Sequence, residues 1–104
     1  MKTISEMTIE EYKAFICEDL RYRCRRDREK YFPEDVMLNL LIGQTYDNAL
    51  ITIENYNKLV TYYRGVVSTY EPQIMACANK NDVDALYVSI ALPDETQILS
   101  QLGA

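Results

Sequence analysis

A chain of 104 residues that is 48% hydrophobic and 26% charged suits one compact core and is too apolar to stay disordered, so a single domain over 1–104 is expected. Histidine is absent, which removes the commonest general base and metal ligand near neutral pH and disfavours most hydrolase and metalloenzyme classes. A net charge of -5 argues against a general nucleic-acid binder, and no stretch reaches the roughly 20 apolar residues of a membrane span.

Met1 to Thr8 lacks the apolar segment of a signal peptide, so a cytoplasmic location is expected. Cys17, Cys24 and Cys77 fit that placement. Cys17 and Cys24 on one helix would stand about 10 Å apart, too far for a disulfide, and without a CxxC pair they do not form a metal site. The three are assigned to the core, with no metal or cofactor.

Thr8 followed three residues later by Glu11 has the form of a capping box, and Ile9, Tyr12, Ile16, Leu20, Cys24 and Tyr31 recur at helical spacing. A first helix is predicted over about 9 to 32, limited by Pro33. Its later part holds the one basic cluster of the chain, with six of the eleven Lys and Arg residues between Arg21 and Lys30. On a helix, Arg21, Arg25 and Arg28 form one ridge and Tyr22 and Arg26 the next, a set able to hold phosphates or an acidic partner. Glu18, Asp19, Asp27 and Glu29 stand three or four residues away, so the helix can also neutralise much of this charge itself. After residue 30 only Lys58, Arg64 and Lys80 oppose nine carboxylates, and halves of opposite charge suit head-to-tail contacts or a charged partner.

Pro33, Glu34 and Asp35 read as a second helix start, and Val36 to Ile42 is apolar nearly all round, as expected of a fully buried segment that stops at Gly43. From Ile42 the hydrophobic class then recurs at alternating steps of four and three through Tyr46, Ala49, Ile53, Tyr56, Val60, Tyr63, Val67, Tyr70, Ile74 and Cys77. A single helix over 45 to 79 would span about 52 Å, whereas a globule of this size has a radius of gyration near 13 Å. A corner at 70 to 72 is therefore predicted, where Pro72 lacks an amide donor, and Gly65 is tolerable inside a helix if another backbone packs close there.

Asn81, Asp82, Val83 and Asp84 offer caps for a further helix carrying Val83, Leu86, Tyr87 and Ile90, and Pro93 to Glu95 start a last short helix with Ile98, Leu99 and Leu102. The fold class expected is all-α, a small bundle of four to six helices with one long heptad-patterned helix. The alternative is an α+β arrangement in which 49–53 pairs with 85–92 as a minor two-stranded sheet.

For function, the chain reads as a non-enzymatic helical protein-interaction module, self-associating as a homo-oligomer or acting as an adaptor or inhibitor of a larger complex. The partner-binding residues expected are Tyr46, Tyr56, Tyr62, Tyr63 and Tyr70, because tyrosine carries both apolar area and a polar tip. The alternative is nucleic-acid or nucleotide binding through Arg21, Tyr22, Arg25, Arg26 and Arg28. Cys24, set among arginines that would favour its thiolate, is the single enzyme-like hint and lacks a partner base.

Overall fold

The computed structural model describes residues 2–103. The chain forms a short 3-10 turn (Ile4–Glu6) and five α-helices, α1 (Ile9–Glu29), α2 (Glu34–Leu41), α3 (Ile53–Met75), α4 (Lys80–Ser89) and α5 (Glu95–Gln101). There is no strand among the described residues, so the protein is an all-α bundle. The strand pair weighed for 49–53 and 85–92 is not formed, because 85–89 completes α4 and 49–52 is the turn leading into α3.

Local chemistry explains most of the boundaries. Thr8, Thr52, Asn79 and Asp94 each accept a hydrogen bond from the backbone amide three residues on, which satisfies one of the free N–H groups that every helix start leaves. Thr8 with Glu11 and Asp94 with Gln97 close full capping boxes. Gly43 and Gly103 follow α2 and α5 at φ 91° and 85°, conformations that a side chain resists.

Three sequence expectations need correction. The first helix stops at Glu29 and not at 32, because residues 30–32 turn to bury Phe32 against the edge of the Tyr56 ring. The second helix is not a fully buried segment: Leu40 alone is buried, while Leu38, Leu41 and Ile42 are exposed. The heptad helix begins at Ile53, where Thr52 caps it, and runs unbroken through Pro72 to Met75. Pro72 removes the amide that would bond the Ser68 carbonyl, a single backbone hydrogen bond lost three residues from the helix end, and α3 runs through it without a corner. The end comes at Ala76, where the buried Lys13 ammonium donates to the Met75 carbonyl at 2.9 Å, a cation at the negative end of the helix.

Helices α1 and α3 pack antiparallel, as the pairs Lys13–Met75, Arg21–Glu71 and Asp27–Tyr63 require. Tyr12, Ile16, Leu20, Leu59, Tyr63 and Ile74 fill their seam, joined by Val83 of α4 and Ile98 of α5. Asn55, buried on α3, donates to the carbonyls of Leu50 and Leu102 and so ties the incoming turn and the C-terminal end to one helix. Helix α4 lies against both α1 and α3, while α2 and α5 contact α3. The body measures 50 × 28 × 16 Å with a radius of gyration of 16.5 Å, longer and flatter than the roughly 13 Å of a compact chain this size.

Gly65 sits inside α3 with no atom within 4 Å of where a Cβ would stand. No other backbone packs close there, so this glycine carries an entropic cost with no packing return. Gly65→Ala is expected to stabilise the protein by about 0.5–1 kcal/mol. Urea unfolding checks this, and a destabilised variant would contradict it.

Candidate functional site

The α1–α3 seam has two sides, and only one is covered. At about 100° per residue, the α1 residues that meet α4 (Tyr12, Asp19 and Arg23) lie opposite those on the free side (Arg21, Arg25 and Arg28). On the free side these arginines form one wall of an open groove of about 340 Å3. Arg64 and Ser68 of α3 form the other wall, over Cys24, Val60, Tyr63 and Val67.

The four arginines are not equivalent. Arg21 pairs with Glu71 at 2.6 Å and Arg25 with Glu29 at 3.3 Å. Among the described residues Arg28 and Arg64 have no ion pair. Arg28 lies 5.7 Å from the Tyr56 ring centroid, and its buried Nε–H has no acceptor. A guanidinium N–H buried without an acceptor forfeits a charge-assisted hydrogen bond.

The five residues expected to bind phosphate or an acidic partner therefore do not converge. Arg21, Arg25 and Arg28 line the groove, whereas Tyr22 and Arg26 pair with each other, guanidinium to hydroxyl at 3.4 Å, on a separate shallow surface beside Lys30 and Leu92. No aromatic face is presented in the groove for a base to stack on, since Tyr63 is buried and Arg28 covers Tyr56.

The tyrosine stripe is used mostly within the molecule. Tyr63 is 3% exposed and its hydroxyl donates to Asp27, which corrects its assignment as a partner contact. Tyr56 donates to the Met37 sulfur at 2.9 Å, Tyr46 accepts from Asn39 at 2.9 Å, and Tyr62 stands edge-on to Tyr63. Tyr62 and Tyr70 keep partial exposure along a shallow depression beside Gly65, so of the five they retain surface together.

The exposed apolar surface lies elsewhere. Leu38, Leu41 and Ile42 are 50%, 59% and 74% exposed, on the same face of α2 as the exposed carboxylates Glu34 and Asp35. Single exposed apolar side chains are ordinary on a protein surface, whereas these three stand side by side on one face.

Cys24 is buried, and burial pushes its thiol up from the ordinary range despite the neighbouring Arg23. Cys17 is raised for the same reason, and Cys77 is half-buried, so all three are free thiols and Cys77 is only partly in the core. Among the described residues no group of His, Cys, Asp or Glu is placed to hold a metal ion, and no helix is long and apolar enough to cross a membrane.

In comparison with known proteins, no family model, curated protein or solved structure matches the chain.

Sequence reasoning missed Arg64 and the exposure of α2. Arg64 interrupts the run from Val60 to Val67 as an unpaired cation one step off the heptad positions, a signal that it flanks a seam. The apolar ring of α2 carries its own warning, because a short helix whose main contact is one neighbour hides only one side.

Three tyrosine hydroxyls donate to aspartates between helices: Tyr12 to Asp84, Tyr87 to Asp19 and Tyr63 to Asp27. The Asp84 hydrogen bond pushes Tyr12 up to about 12, burial and Asp19 push Tyr87 up to about 12, and burial and Asp27 raise Tyr63 further. Raised acids keep their proton in the folded state, so their stability is intact below about pH 10 and is lost as pH climbs from there through 12. The urea midpoint is expected to fall across that window, and less steeply in a Tyr12→Phe, Tyr63→Phe, Tyr87→Phe variant. Equal slopes in the two proteins would contradict this.

Proposed function

We propose that this chain is a non-enzymatic helical protein-association module that self-associates through α2. The carrying observation is the exposed Leu38, Leu41 and Ile42 face. Among the described residues these three side chains stay exposed, and the main helix contact of α2 is with α3.

The surface area supports a second copy as occupant. The chain exposes 6796 Å2, whereas compact monomers of its mass expose about 6,000 Å2. The surplus of roughly 800 Å2 belongs to the long, flat body as a whole and is comparable in size to one partner's share of a standard interface. A catalytic reading finds less support, since the Cys24 thiol is raised by burial and no base is hydrogen-bonded to it. Nucleotide or nucleic-acid binding is weaker too, with two groove arginines already held by Glu71 and Glu29 and no stacking face.

Light scattering on a size-exclusion column, run over a concentration series, tests the proposal. The chain should exceed its 12.1 kDa monomer mass as concentration rises. Leu41→Glu and Ile42→Glu, both at exposed positions, should each weaken association by about tenfold or more while leaving the helical circular dichroism unchanged. A wild-type chain that stays monomeric throughout would refute it.

A further inference from the structure

The α1–α3 groove and the open face of α2 have complementary chemistry. Along α2, Glu34 and Asp35 lead into Leu38, Leu41 and Ile42 on one ridge, a stretch of about 12 Å. Along the groove, Arg21 to Arg28 spans about 10 Å, with half-buried Val60 and Val67 on the opposite helix.

The charges match in number as well as sign. Among the described residues Arg28 and Arg64 are the groove arginines without an ion pair, and Glu34 and Asp35 likewise have none. The apolar parts match also, aliphatic side chains on α2 facing a floor where Val60 and Val67 flank the buried Cys24 and Tyr63. Packing gives the third argument: α4 covers one side of the α1–α3 seam, and the groove is the seat that a further helix of a bundle would take on the other.

We infer that α2 of one copy docks into the α1–α3 groove of the next, with Glu34 and Asp35 meeting Arg28 and Arg64 and with Leu38, Leu41 and Ile42 covering Val60 and Val67. The contact is head-to-tail, joining two different surfaces of the same chain, so each copy offers one free groove and one free α2. Assembly then continues into a ring or an open chain unless one surface is blocked. This inference rests on self-association through α2 and adds what α2 binds.

Complementation distinguishes it from a symmetric α2–α2 contact. One variant, Leu41→Glu with Ile42→Glu, loses the α2 face and keeps the groove. Another, Arg64→Glu, loses the groove and keeps α2; Arg64 is exposed and unpaired, so folding does not depend on it. Each alone should associate at least about tenfold more weakly than wild type, and an equimolar mixture should form a discrete heterodimer through the one intact pair of surfaces. Wild-type association should also weaken with salt.

The other outcomes separate the claims. A monomeric wild type would defeat self-association itself. A groove variant that associates as well as wild type, or a mixture that stays monomeric, would overturn the groove assignment and leave α2 self-association standing. Titrating the α2-deficient variant with a short oligonucleotide closes the remaining route: binding that Arg64→Glu abolishes would give the groove to nucleic acid and overturn the inference, and no binding upholds it.

Discussion

The rotation of α1 about its own axis decides what this protein shows to its surroundings. It is fixed by tyrosine hydroxyls that donate across helix seams, Tyr63 to Asp27 on the α3 side and Tyr12 to Asp84 and Tyr87 to Asp19 on the α4 side. Lys13, buried and bonded to the last carbonyl of α3, adds a fourth tie. With α1 held by two neighbours, the ridge of Arg21, Arg25 and Arg28 has one place left to face, the uncovered side of the α1–α3 seam. A tyrosine–aspartate pair is well suited to this, because a hydrogen bond to a charged acceptor is directional in a way that aliphatic packing is not.

That division of labour explains what was readable in the sequence. Features decided within a few residues were legible: the Thr8 and Glu11 capping box, the start of the last helix around Asp94, and the 3.6-residue periodicity from Ile53 to Ile74. Features decided by neighbours were not. The heptad pattern continues upstream to Ile42, yet residues 44–52 are irregular, because Thr52 caps α3 and Asn55 draws the Leu50 carbonyl inward. Pro72 suggested a corner, but so near the helix end it removes a single backbone hydrogen bond and α3 continues to Met75.

The candidate site was legible in part for the same reason. The arginine ridge and the opposite charge of the two halves can be seen along the chain, a pattern that suits head-to-tail contacts or a charged partner alike. Which arginines are free depends on Glu71, 50 residues from Arg21, and no local pattern reports such a pairing. The tyrosines looked like an interface because composition does not show which hydroxyls have internal partners. Tyr63 has one in Asp27, and exposed aliphatic surface is found instead at Leu38, Leu41 and Ile42, which the sequence placed in the core.

The central claim is that one chain carries both halves of a head-to-tail contact. Nitrogen-15 amide spectra of the wild-type protein, recorded along a dilution series, test it directly, because each backbone amide reports its own surroundings. The account predicts that resonances of 34–42 shift or broaden together with those of 21–28 and 60–68, following one binding curve. Concentration-dependent changes confined to 34–42 would contradict it, and so would a spectrum that does not change at all.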